Sequence, residues 1–83
     1  SMDAAAQASI DHVIESAGPP PAGVEVVGEP IRGTPEFGLI EESRDADLIV
    51  LGSRGRGGFK GLLLGSTSSA VAAHSHAPVV VVR

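Results

Sequence analysis

Apolar residues recur at helical spacing near the start of the chain. The stripe consists of five residues at i, i+4, i+7, i+8 and i+11, namely Ala6, Ile10, Val13, Ile14 and Ala17. Gly18 and three consecutive prolines follow it. Because proline cannot donate a backbone hydrogen bond or continue a helix, the pattern predicts a helix that covers residues 4–17.

Three short apolar runs lie between turn residues and predict strands. Residues 24–27 form the first run, which ends before Gly28 and Pro30. Residues 48–51 and 79–82 are unbroken aliphatic runs. Runs of this kind are typical of strands that are buried on both faces, as in a parallel sheet.

Two further helices are predicted between these strands. Thr34, Pro35 and Glu36 supply an N-cap hydroxyl, a proline at the first position and an acid near the positive end of the helix dipole, so a helix is predicted over 35–44. Ser66 is the predicted cap of a helix over 66–74.

Helices and strands therefore alternate along the chain, which predicts an α/β domain with parallel strands and right-handed crossovers. The sequence contains no internal repeat and no interdomain linker, so residues 1–83 are predicted to form one unit. A chain of this size buries a core that leaves only ~3–5 kcal/mol of stability, which favours oligomerisation.

The amino-acid composition limits the cellular compartment, the type of core and the kinds of site that this chain can have. The chain has no cysteine, which excludes disulfides and thiolate metal sites and is consistent with a cytoplasmic location. It has no Trp or Tyr and only two Phe, so the core must be aliphatic. Its apolar runs are far shorter than the ~20 residues of a membrane span, and no signal peptide is visible.

Charge is distributed unevenly. All ten acids lie in residues 1–47, which also hold two arginines and so carry a net charge of −8. Residues 48–83 carry three arginines, one lysine and no acid, a net charge of +4. An acidic chain argues against nucleic-acid binding, whereas a local basic segment suits a small anion.

A glycine-rich loop over 52–65 follows the predicted strand 48–51 and leads into the helix at Ser66. Ligands of open parallel sheets bind at the carboxyl ends of strands, and helix N-termini favour phosphate. The Walker and dinucleotide motifs both fail, because Gly61 follows Lys60 and no glycine stands three places after Gly57. A tight turn without a ligand is the alternative interpretation.

The loop has the spacing G-x2-G-x9-G-[S/T], with Gly52, Gly55, Gly65 and Ser66 in register. Together with "GTPEFGLIEESRDADLIVLGSRG" upstream and "HAPVVVVR" downstream, this spacing resembles the nucleotide-binding branch of the universal stress protein family. The resemblance implies a Rossmann-like fold, similar to the adenine nucleotide alpha hydrolases. It also implies binding of ATP, AMP or cyclic AMP, with Mg²⁺ accompanying the nucleotide.

The resemblance also implies individual roles. Gly52 and Gly55 would turn around the phosphates, while Gly65 and Ser66 would hold them. Three more residues match positions near the ribose and phosphates, namely Leu51, Thr67 and Ser68. From charge alone, Arg54, with Arg56 and Lys60, is expected to neutralise the outer phosphates.

Family domains begin with a strand that carries a nucleotide-contacting Asp, and residues 1–9 do not match it. The chain therefore resembles the later part of such a domain, with a truncated sheet that exposes an apolar edge at residues 48–51. We expect a partner, such as a second copy in a homodimer, to complete that sheet.

The predicted function is a stress-response module that binds an adenine nucleotide. The alternative is a dimerisation or scaffold fragment that does not bind nucleotide and whose loop is vestigial. No catalytic or metal-ligating residue is predicted. A slow ATPase activity would need a water-activating group, and the sequence reveals none. No membrane or nucleic-acid partner is expected.

Overall fold

The computed structural model describes residues 2–53 and 65–83 of the chain. These residues fall into two compact units, Ser1–Ile31 and Arg32–Arg83. The predicted α/β class is confirmed, because the second unit contains a small parallel sheet with flanking helices.

The first unit is built around helix α1, Met2–Ala17. Gly18 follows the last helical residue; its φ of 81° is accessible to glycine, and its N–H donates to the Glu15 carbonyl at 3.2 Å. Ile10 and Ile14 are half-buried on the predicted stripe. Gly28 lies against them so closely that an added Cβ would be 2.5 Å from Ile10 Cγ2, which explains the glycine at this position.

The strand predicted over 24–27 is wrong, since the structure gives these residues no strand assignment. Val24, Val26 and Val27 are 53%, 49% and 71% exposed. A strand is stabilised by hydrogen bonds to a neighbour, and the described residues supply no strand that pairs with this segment. The valines have the β propensity that the sequence indicated but not the partner that it requires.

The second unit begins with helix α2, Pro35–Glu42, and a 3₁₀ turn over Ser43–Asp45. The predicted N-cap is confirmed, because the Phe37 N–H donates to Thr34 Oγ1 at 3.4 Å. Ser43 is 1% exposed. Its hydroxyl donates to the Ile40 carbonyl at 2.5 Å and accepts the His76 N–H at 2.9 Å, so it ties the end of α2 to a distant turn.

Strands β1, Ile49–Gly52, and β2, Val79–Val82, pair in parallel, with Ile49 opposite Val79. Helix α3, Ser66–His74, lies between them in the chain, as in a βαβ unit. Val71 of α3 is fully buried, and Ala77 is the next most buried apolar residue of the described chain.

The prediction that both strands are buried on two faces is wrong for the described structure. Burial alternates along each strand, so Ile49 and Val81 are half-buried on one face. On the other face, Val50, Val80 and Val82 are 60%, 46% and 52% exposed. We call these three side chains the valine face. Nothing in the described part of this unit covers them; α3 contacts β2, and α2 contacts α3.

No helix in the described part of the chain is long and apolar enough to cross a membrane.

Candidate functional site

The carboxyl end of β1 is joined to its two neighbours by backbone hydrogen bonds. The Ser53 N–H donates to the Val82 carbonyl of β2 at 2.8 Å. The Gly65 N–H, immediately before α3, donates to the Ser53 carbonyl at 2.6 Å. The two described ends of the glycine loop are therefore held together, and the start of α3 lies beside the end of β1.

Helix α3 begins without a side-chain cap. Gly65 is the N-cap, with φ −73° and ψ 170°, and its carbonyl accepts the Ser69 N–H at 2.9 Å. The prediction that Ser66 caps the helix is wrong, because Ser66 is already the first helical residue and its side chain is exposed. Among residues 2–53 and 65–83, the first N–H groups of the helix thus have neither an intrahelical acceptor nor a side-chain acceptor.

Four consecutive hydroxyl residues follow Gly65, and the first three, which the family resemblance singles out, differ in their hydrogen bonds. Ser68 is 5% exposed and donates to the Gly52 carbonyl at 2.5 Å. Thr67 donates to Glu36 Oε2 of α2 at 3.4 Å. Ser66 is exposed and donates to no acceptor among residues 2–53 and 65–83. Since a hydroxyl has one proton, the Ser66 proton is available to a ligand, whereas those of Thr67 and Ser68 are already donated.

Glu36 is a charged neighbour of this region that the sequence pattern indicates only as an acid in the first turn of α2. Its carboxylate accepts from Thr67, 31 positions away, so the first turns of α2 and α3 adjoin. No local sequence signal predicts this contact. It places a negative charge beside a helix N-terminus, where it interacts favourably with the dipole and competes with any other anion.

The sequence model of the universal stress protein family matches residues 2–83. The chain belongs to this family. The match covers both compact units, including the strand-free segment 24–27.

Several curated universal stress proteins are similar to this chain. A universal stress protein of Mycolicibacterium smegmatis is 56% identical over 52 residues, 63% of this chain and 18% of the relative. One of Mycobacterium tuberculosis is 45% identical over 53 residues, 64% of this chain and 18% of the relative. One of Methanocaldococcus jannaschii is 40% identical over 63 residues, 74% of this chain and 37% of the relative.

The chain thus aligns with about a fifth to two fifths of the length of these universal stress proteins. No solved structure matches it significantly.

The structure brings together most of the residues that the family resemblance singles out. Leu51 is half-buried in β1 and Gly52 is exposed at its end. The other described site residues are Gly65, Ser66, Thr67 and Ser68, which form the N-cap and first turn of α3. Arg54 and Gly55 lie outside the described residues, as do Arg56 and Lys60.

The histidines of the chain lie outside the glycine loop in the sequence. His74 ends α3 and His76 follows it, and both side chains are exposed. Within residues 2–53 and 65–83, no three His, Asp or Glu residues are grouped so that they could hold a metal ion. A cation at this site would therefore need oxygens from a ligand in addition to those of the described chain.

Proposed function

We propose that this chain binds the phosphates of an adenine nucleotide (ATP, AMP or cyclic AMP) at the start of α3 and acts in a stress response. The observation that carries the proposal is the uncapped first turn of α3 beside the end of β1, with the available hydroxyl of Ser66. Membership in the universal stress protein family supports the stress-response role.

The chemistry of the first turn suits phosphate. Phosphate oxygens are acceptors, and both the free N–H groups and Ser66 are donors. Gly52 and Gly65 lack side chains, so backbone can approach the ligand closely. Leu51, at the end of the half-buried face of β1, would lie near the ribose.

The charge balance of the site favours a nucleotide that carries a cation. Glu36 contributes a negative charge beside the first turn of α3. Mg²⁺ bound to the phosphates would lower their repulsion from this carboxylate. Arg54, with Arg56 and Lys60, would supply further positive charge from the glycine loop, in which no acid occurs.

The proposed site would lie in a sheet larger than the two described strands. The parallel pair β1–β2 is taken as part of a larger Rossmann-like sheet, which a second copy of the chain would complete. The exposed valine face would also be buried if a second copy packed against that side of the sheet. The module is proposed to act in the cytoplasm without catalytic residues of its own; the absence of cysteine is compatible with that location.

Calorimetric titration with Mg-ATP tests the nucleotide proposal. We expect saturable binding to the wild-type chain and about tenfold weaker binding to Ser66→Ala, because a hydrogen bond to a charged phosphate is lost. Ser69→Ala is the matched control, since Ser69 is an exposed serine of the same helix, and its affinity should equal that of the wild type. Absence of wild-type binding at millimolar Mg-ATP would contradict the proposal.

The valine face favours a second candidate function, self-association without nucleotide. Three exposed valines on one sheet face are stabilised when another surface covers them. Light scattering should then give twice the mass of one chain, with or without ATP, and Val50→Lys should reduce it to that of one chain. Val13→Lys, at a valine of α1 that is 65% exposed, is the control and should leave the mass unchanged. A folded wild-type monomer would eliminate this candidate.

A further inference from the structure

The dipeptide Gly52–Ser53, where β1 ends, makes three hydrogen bonds, one with β2 and two with the start of α3. The Gly52 carbonyl accepts from Ser68 Oγ, the Ser53 N–H donates to Val82, and the Ser53 carbonyl accepts from Gly65. The donor–acceptor distances are 2.5, 2.8 and 2.6 Å. Of these partners, Ser68 alone uses a side chain.

The hydroxyl of Ser68 is committed to this contact. The residue is 5% exposed, and its single proton is directed at the Gly52 carbonyl, 16 positions away in the sequence. A hydroxyl that has donated its proton can only accept further hydrogen bonds. Because an ionised phosphate also only accepts, the Ser68 hydroxyl has no proton to offer it in this arrangement.

We propose that Ser68 is a positioning residue that fixes the base of the glycine loop, and that its side chain does not contact the nucleotide. This inference rests on the nucleotide-binding function proposed above and refines the role that the family resemblance implies for Ser68. By holding the Gly52 carbonyl, Ser68 keeps the first turn of α3 beside the end of β1 and occupies an acceptor that would repel a phosphate.

We therefore expect Ser66 and Ser68, both in the first turn of α3, to have different roles. The exposed Ser66 hydroxyl keeps its proton available and donates it to the ligand directly. Ser68 acts through Gly52 and Gly65, so its effect is present before any ligand arrives. The two residues are separated by one position in the sequence, and their substitution should produce different signatures.

Amide hydrogen exchange followed by NMR on the nucleotide-free chain measures this difference. In Ser68→Ala, the Gly65 and Ser53 amides should exchange about fivefold faster or more, because loss of one neutral hydrogen bond weakens local closure by that order. Ser66→Ala and Ser69→Ala should leave both amides at the wild-type rate. The Ser75 amide, which bonds to Val71 at the other end of α3, is the internal reference and should not change in any variant.

Ser68→Cys addresses the case in which Ser68→Ala unfolds the unit. Cysteine fills nearly the same space but is a weak donor, so the same two amides should exchange faster while Ser75 stays protected. The Mg-ATP affinity of Ser68→Cys should fall by about fivefold. Unchanged Gly65 and Ser53 exchange in the serine-68 variants, together with a lower affinity, would overturn the inference and make Ser68 a ligand contact.

The experiment separates this inference from the function on which it rests. If the wild-type chain binds no Mg-ATP, the proposed function fails, whereas the exchange rates still decide whether Ser68 anchors the loop. If the wild type binds and neither the exchange nor the affinity responds to serine-68 substitution, the positioning role is refuted while nucleotide binding stands.

Discussion

Replacement of Gly65 by valine is expected to lower the affinity for Mg-ATP by about 100-fold, since a side chain at this position blocks at least two charged hydrogen bonds. Gly65 is the N-cap of α3, and the free N–H groups begin at the next residue. A branched side chain there would occupy the space that the proposed phosphate needs. Calorimetric titration of the variant against the wild type measures the effect.

The same substitution should leave the chain folded. The φ and ψ of Gly65 are −73° and 170°, an extended conformation that valine adopts readily. Its cost to stability should be about 1 kcal/mol, because valine is a poor N-cap. Gly65→Ala, with the smallest side chain, should bind with an intermediate affinity. An undiminished affinity in Gly65→Val, with circular dichroism like that of the wild type, would refute the phosphate assignment.

Local signals predicted the helices of this chain well. Thr34 and Pro35 encode the start of α2 through capping and a fixed φ, and both effects operate within one turn. The observed α2 ends at Glu42 rather than at the predicted residue 44, because the last residues tighten into a 3₁₀ turn around the buried Ser43. That turn depends on His76, which no local pattern reveals.

Strand predictions were less successful because a strand depends on neighbours that are remote in sequence. Val79–Val82 forms a strand and residues 24–27 do not, although both are rich in valine. The difference is the partner: β2 pairs with β1, and segment 24–27 has no such pairing in the described structure. Burial of Val50 likewise depends on what covers the second face of the sheet, and the composition of the strand does not predict that cover.

The spacing of glycines located the candidate site but did not distinguish its three hydroxyl groups. Ser66, Thr67 and Ser68 are equivalent by residue type, and the family resemblance assigned all three to the ligand. Their protons differ because Gly52 and Glu36 are brought beside α3 by tertiary contacts that span 16 and 31 positions. Such contacts are accessible only from the folded chain.

The largest stability loss from a conservative change is expected at Val71, the fully buried apolar side chain of the described residues. Val71→Ala removes two methylene equivalents, worth about 1.6 kcal/mol in transfer free energy, and leaves a cavity beneath α3. The total cost should be about 2–3 kcal/mol. A core of this size supplies only ~3–5 kcal/mol, so the variant should keep about 0–3 kcal/mol of stability and unfold at a much lower urea concentration.

Urea denaturation followed by far-UV circular dichroism measures this loss, which is the suitable signal because the chain has no Trp or Tyr. Val50→Ala is the matched control: it is the same chemical change at a side chain that is 60% exposed, and it should cost less than about 1 kcal/mol when the chain is dilute enough to be monomeric. Equal midpoints for the two variants would mean that α3 does not pack against the core through Val71. In that event the first turn of α3 would lack the rigid support that the phosphate site requires.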